Sequence, residues 1–203
     1  MRRLRLPLLP AFLAAAGCAS GAVPGAPDGA PDEDLLVPAG FGTLRQDDIT
    51  MTLRAEGVQL KVTPLEEWVL RLAAPDTHRR LSGLADSHRA AARERTGVEP
   101  VLVLASFFSD EQGSVFHPED VTLDNRGRRL RPLAILPLTG GWGNQRLTQR
   151  QTEMAVYAFG PELDLDLEVV LEYRGQRSAD WTSVLLRLAT ERTRARARAG
   201  GGR

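Results

Sequence analysis

Cysteine is nearly missing from this chain. Cys18 is the only one in 203 residues, so the chain holds no internal disulfide and no thiol-pair redox motif. Histidine is limited to His78, His88 and His117, and aromatic residues make up 5%. Excess charge of either sign is also absent. The 26 basic residues balance 26 acidic ones, so no global pull toward nucleic acid is expected. Lysine occurs once, at Lys61, and arginine supplies the rest of the positive charge. We read that bias as the mark of a GC-rich genome. A membrane-spanning helix needs roughly 20 apolar residues in a row, and no such run exists. Together these absences exclude a disulfide scaffold, a multi-span membrane protein, a collagen and a coiled coil. The composition present, 42% hydrophobic and 26% charged, suits one domain with a core of its own.

The first eighteen residues read as an export address. Arg2, Arg3 and Arg5 form a positive start, and Leu4 to Ala16 is mostly apolar and free of acids, with Pro7 and Pro10 inside it. Small residues follow, then Cys18. This is the build of a secretory signal. The stretch Ala15-Ala16-Gly17-Cys18 resembles the lipobox of bacterial lipoproteins, over residues 1–18 only. It departs from the usual pattern at Ala15, where leucine is commonest. The resemblance implies a diacylglycerol thioether on Cys18, cleavage just before it, and often acylation of the new amine, for example by palmitate. Lone-cysteine usage agrees, because a free thiol in an oxidising compartment is a liability unless it is used. More than one acyl chain makes a stable anchor, at about 0.8 kcal/mol per buried CH₂. Two other readings stay open: an ordinary signal cut after Ala14-Ala15-Ala16, and an uncleaved anchor or misassigned start.

Loss of residues 1–17 removes three arginines and no acid, leaving 23 basic against 26 acidic residues and a net charge of −3. Residues 18–40 are rich in Ala, Gly, Pro and Asp and bury little, so a flexible tether is expected there. The resemblance implies a place in the bacterial cell envelope. Ala19 in place of Asp leans toward the periplasmic face of the outer membrane where two membranes exist.

From residue 41 the pattern becomes that of a folded body. Residues 49–53 and 58–62 alternate apolar and polar around Glu56-Gly57, which predicts a β-hairpin. Thr63-Pro64-Leu65-Glu66 reads as a helix start, and Leu65, Trp68, Val69 and Leu72 share one helical face, predicting a helix over 64–74. A second helix is predicted over 76–95, with Leu81, Leu84, His88 and Ala92 inward and Gly97 ending it. Residues 101–108 form the apolar run of a central strand. Short strands are expected at 121–123, at 129–138 (an edge strand, given Pro132 and Pro137), over 147–159 and over 167–173. Residues 181–188 fit either a last strand or a helix. The predicted fold is mainly β with a helical insertion (α+β): an antiparallel immunoglobulin-like β-sandwich over 41–190, with two helices at 64–95 inserted after the first hairpin. Residues 191–203, where Arg192, Arg194, Arg196 and Arg198 alternate with small residues, read as a basic disordered tail. Contact with anionic lipid headgroups is the sharper alternative for that tail.

Candidate chemistry is thin. His117-Pro118-Glu119-Asp120, with Asp110 or Glu111, raises the alternative of a metal-assisted envelope hydrolase around His117. His78 and His88 lack zinc-helix spacing. Ser106, Ser109 and Ser114 lie near His117, yet no Gly-x-Ser-x-Gly elbow occurs. Glu162, Asp164, Asp166 and Glu168 alternate with leucines and predict a half-exposed acidic strand, with a calcium-binding face as the alternative. The best candidate binding residue is Trp142, on the loop Gly140-Gly141-Trp142-Gly143, where an exposed indole serves as an anchor. Packing back onto the core is the competing role. No catalytic residue, metal ligand or cofactor is assigned. The expectation is a non-catalytic binding or structural domain held to the membrane through Cys18, with an envelope protein or glycan as partner and no nucleic acid. An assembly subunit of a larger envelope complex remains a further alternative.

Overall fold

The computed structural model describes residues 37–201, all within one compact unit. The expected signal, Cys18 and the expected tether up to residue 36 lie outside the described residues. The body is mainly β with three helices, an α+β architecture whose strand pairings are all antiparallel.

The first hairpin forms as its alternation predicts. β1 (Met51–Ala55) pairs with β2 (Val58–Pro64), and Leu53 faces Leu60. Glu56 and Gly57 both take positive φ, as a two-residue hairpin turn of this hand requires. The expected helix over 64–74 does not form as such. β2 runs on to Pro64, and only Glu67–Leu70 (α1) is helical. Thr63 is no N-cap: it is buried in the strand, and its hydroxyl lies 2.7 Å from that of Thr50. Leu65 stays tied to the next strand through its N–H to Leu102 O at 2.9 Å. Sheet pairing thus outcompeted the local helix signal.

The second helix, α2 (Pro75–Thr96), closely matches its prediction, and Gly97 ends it with a left-handed φ of 72°. Its buried residues are Leu81, Ala85 and Ala92, whereas Leu84 and His88 are only half-buried. The inward stripe is therefore rotated slightly from the predicted one.

β3 (Val101–Ser109) is the central strand. It lies between β2 and β9 (Gln151–Phe159) in a sheet ordered β1-β2-β3-β9-β7, with β7 (Ala134–Pro137) at the edge. A second sheet, ordered β11-β10-β5-β6, contains β5 (Thr122–Asn125), β6 (Arg128–Leu130), β10 (Val169–Tyr173) and β11 (Gln176–Ser178). The predicted strand over 129–138 is thus two strands in two different sheets. Pro132 lies in the crossover, and both strands are edges. The predicted strand over 147–159 also divides. β8 (Arg146–Leu147) pairs with β4 (Ser114–Val115), and β9 begins at Gln151.

Alternation gives the large sheet two buried faces. Phe107 and Tyr157 point to one side, where Phe107 meets Tyr173 of the small sheet at 5.7 Å between rings. Leu102, Leu104, Val156 and Ala158 are buried on the other side, and α2 lies against β7 and β9 there. A strand buried on both faces reads as a continuous apolar run, which is why β3 does.

Two further expectations are corrected. Residues 161–168 are turns and not an acidic strand. Leu163 and Leu165 are still buried, while the Asn125 side chain holds the turn by bonds to Asp164 and Glu168 backbone atoms at 2.9–3.1 Å. The supposed basic tail is helical. α3 spans Asp180–Gly200, so the option of a strand at 181–188 falls as well. Trp181, Val184, Leu188, Glu191 and Ala195 are its buried residues. The three- and four-residue rhythm of inward positions continues past 190 through Glu191 and Ala195, and the alternating arginines mask it in the sequence.

Glu191 explains the docking of the distal half. It is 3% exposed and accepts from the Thr43 N–H and the Thr43 hydroxyl, both at 2.9 Å, and from Arg198. Arg198 also donates to Phe41 O at 2.6 and 3.0 Å. The segment 41–44 is thereby strapped between α3 and the 72–74 turn, where the Leu44 N–H donates to Leu72 O at 3.1 Å and the Ala74 N–H donates to Leu44 O at 2.8 Å. At Gly42 any side chain would collide with the Leu72 backbone.

Candidate functional site

The small sheet turns one face to solvent, and arginines and acids alternate across it. β10 and β11 are joined by Arg174-Gly175, β5 and β6 by Arg126-Gly127, and all four turn residues have positive φ. These tight turns set the registers Glu172↔Arg177 and Asp124↔Arg129. Opposite charges thus stand directly across each hairpin, the arrangement that favours pairing. Glu172 is clamped by two guanidiniums, Arg129 Nη2 at 2.5 Å and Arg177 Nε at 2.8 Å. Arg177 also reaches Asp124 at 3.2 Å.

Arg174 ties this sheet to the first hairpin. Its fork grips both carboxylate oxygens of Glu56 at 3.0 and 3.2 Å, and its third nitrogen meets Asp120 at 3.0 Å. These bonds, to Glu56 foremost, push the already high Arg174 pKa further up. The bidentate geometry fixes the plane of the guanidinium.

Between these pairs lies an open groove of about 530 Å³, lined by Glu119, Asp120, Arg129, Arg131, Glu172 and Arg174 among others. Its floor is Tyr173, which is 1% exposed. Among the described residues, neither Arg131 nor Glu119 has an ion-pair partner in this groove. The groove therefore presents one unpaired cation and one unpaired acid on a wall of fixed ion pairs. Exposed ion pairs add little to stability, so the main effect of these is shape and charge pattern.

The candidates singled out in the sequence fall elsewhere. Trp142 is 8% exposed and is no surface anchor. Its ring sits against Phe116 at 5.1 Å, Phe107 at 5.7 Å and Tyr157 at 6.3 Å, so the role of core cap prevails. The glycines beside it serve that packing. Any side chain at Gly141 would collide with the Glu153 carboxylate, itself buried beneath the loop and held by Thr139 and by Gln151 Nε2 at 2.5 Å.

The His117 segment is a structural pin. His117 N–H donates to Tyr173 Oη at 3.0 Å, and Tyr157 Oη donates to Pro118 O at 3.1 Å. Burial pushes both phenol pKa values up, so each hydroxyl keeps its proton. Among the described residues no three His, Cys, Asp or Glu side chains are placed to share a metal ion. Ser109 donates to Gly57 O at 2.8 Å and lies 2.8 Å from the Ser114 hydroxyl, which latches the first hairpin turn to β3. The His78 ring lies 3.1 Å from Glu67 Oε1, and Ser82 donates to the other oxygen at 3.1 Å, so histidine and serine share an acid without meeting each other.

The groove residues were missed in the sequence, although half of their signal was present. Each Arg-Gly turn, read as a hairpin, places its flanking charges opposite each other. The pairings between hairpins, Arg177 with Asp124 and Arg174 with Glu56, carry no local signal. Cys18 lies outside the described residues. The chain matches no protein-family model, no curated protein and no solved structure.

Proposed function

We propose that this protein is a bacterial envelope lipoprotein, anchored through Cys18, whose folded domain binds a partner and performs no catalysis. The observation that carries the reading is the run from Arg2 to Cys18: positive start, apolar stretch, then Ala15-Ala16-Gly17-Cys18. The domain beyond it acts at the membrane surface, on the periplasmic side of the outer membrane where two membranes exist. Two antiparallel sheets with their aromatic side chains between them support the finer reading of the body as an immunoglobulin-like sandwich.

The groove over the small sheet is the binding surface. Its chemistry suits a polypeptide segment of mixed charge: Arg131 takes a carboxylate and Glu119 a cationic side chain, while the paired residues set the spacing. The partner is thus another envelope protein, and the domain serves as an assembly subunit.

Metabolic labelling with radioactive palmitate tests the anchor. Wild type incorporates label and fractionates with membranes, and Cys18→Ala loses both the label and signal processing. An unlabelled wild type overturns the lipoprotein reading. Crosslinking in intact cells tests the groove. Arg131→Glu with Glu119→Arg abolishes the crosslinked species at unchanged melting temperature, and a species that persists overturns the groove as the contact.

A further inference from the structure

The solvent side of α3 has an unusual layout for a helix so rich in arginine. At 3.6 residues per turn its outermost line is Leu186, Ala189, Thr190, Thr193 and Ala197, all exposed and all uncharged. Leu186 is the most exposed large apolar side chain among the described residues, at 69%. Arginines flank this line on both sides, Arg187 and Arg194 along one edge, Arg192 and Arg196 along the other. Arg187 donates to Asp48 O at 3.0 Å, and Arg192 lies over the Trp68 ring at 5.4 Å. From Arg192 onward the sequence has no acid, and the nearest one, Glu191, is turned inward.

An uncharged outer line with cationic edges suits a helix that rests on a membrane surface, with Leu186 as its one large apolar contact and the arginines supplying most of the attraction. The apolar line meets the headgroup region while arginines reach sideways to phosphates. A second copy of this chain is disfavoured as occupant, because the same arginine rows would face each other. The attachment point agrees. The chain coming from Cys18 joins the domain at a segment whose Phe41 carbonyl is held by Arg198 of this same helix. An anchored Cys18 therefore keeps the α3 end of the domain within reach of the bilayer.

We infer that the outward face of α3 docks on an anionic lipid surface, beside the point where the chain from Cys18 joins the domain. The inference rests on the lipoprotein reading for the anchor, while the face itself makes a separate claim. Each arginine near an anionic surface contributes about a five-fold gain in partition.

The test uses the full chain purified from membranes, with Thr193→Cys carrying an environment-sensitive dye, in vesicles of phosphatidylglycerol or phosphatidylcholine. Mass spectrometry of the Cys18 peptide first settles the anchor. A chain without lipid there ends the lipoprotein reading, and the same chain with Cys18→Ser, added to vesicles, still reports on the face. Docking gives a blue shift on phosphatidylglycerol that reverses near about 1 M salt, where screening acts within about 3 Å. Arg194→Gln and Arg187→Gln each lower the docked-to-undocked ratio about five-fold. Leu186→Ser lowers it independently of charge, and the distant Arg128→Gln leaves it unchanged. An equal shift on both lipids, no shift on either, or a shift that grows with protein concentration without vesicles overturns the inference.

Discussion

The loop at 139–144 and the helical segment at 189–200 each rest on one buried carboxylate, yet the two are built differently. Glu153 lies under the glycine-rich loop and takes only neutral donors, the Thr139 hydroxyl and the Gln151 amide. Glu191 lies under the strap at 41–43 and takes a backbone N–H, a hydroxyl and the Arg198 guanidinium. Among the described residues no buried side-chain polar atom is left without a partner, so both solutions satisfy the acid. The difference lies in what each acid holds. Glu153 fills space beneath Gly141, and the aromatic cluster around Trp142 supplies the adhesion. Glu191 is itself the clasp between sequence-distant segments. An acid that fills a polar niche tolerates its own amide, whereas an acid that joins a cation to a backbone donor does not.

Substitutions that break this contrast range from large to small. Trp142→Ala empties the aromatic cluster and costs about 3–5 kcal/mol in denaturant unfolding. A variant of unchanged stability would return Trp142 to the surface. Gly42→Ala comes next and exceeds Gly141→Ala, because backbone must move at Leu72 whereas only a carboxylate end must move at Glu153. Overpacking at Gly141 costs about 1–3 kcal/mol, and a larger loss there than at Gly42 would refute the ordering. Glu191→Gln follows, at about 1–3 kcal/mol, since it leaves Arg198 without its acid while that guanidinium stays partly hydrated. Hydrogen exchange of the Thr43 amide then accelerates ahead of global unfolding. Glu153→Gln is nearly neutral, within about 1 kcal/mol.

Two adjacent acids sharpen the same lesson through pH. Burial raises the Glu66 pKa against the pull of Arg89. Its protonated form is favoured in the fold, so the stability it contributes is present below about pH 4.5 and is lost as pH rises through its folded pKa. Glu67 is also penalised by burial, but bonds from Arg71, His78 and Ser82 win and lower its pKa. Its contribution is present above the unfolded value and is lost as pH falls through the folded one. Glu66→Gln therefore raises the melting temperature at pH 7 and not at pH 4. Glu67→Gln lowers the melting temperature only slightly at pH 7, because it removes about a few tenths of a kcal/mol for so exposed an acid, and it has no effect below the folded pKa.

The parts legible in the sequence share a feature: their determinants are close together along the chain. The first hairpin, α2 with Gly97, and the buried run of β3 each follow from period, turn residues or caps within a few positions. The misreadings occur where a distant partner decides. Thr63-Pro64-Leu65-Glu66 has the chemistry of a helix start, but β3 offers the same backbone a longer ladder. Residues 162–168 alternate like a strand, yet the Asn125 side chain holds them as turns. Arg192 to Arg198 look solvated only while Thr43 is out of view. The ion pairs of the groove follow the same rule, since those within a hairpin were readable and those between hairpins were not.

The sequence by itself determined the mainly β class with helices added, and the positions of the tight turns, and it is the ground on which the export address is proposed. These depend on local sterics, hydrogen-bond capacity and the spacing of apolar side chains. Only the tertiary structure decided that Trp142 faces inward, that the final arginines lie on a docked helix, and that Arg131 and Glu119 share one groove. Burial is a property of what packs over a residue, and ion pairing depends on which strands become neighbours. Neither quantity exists until segments far apart in the chain have met.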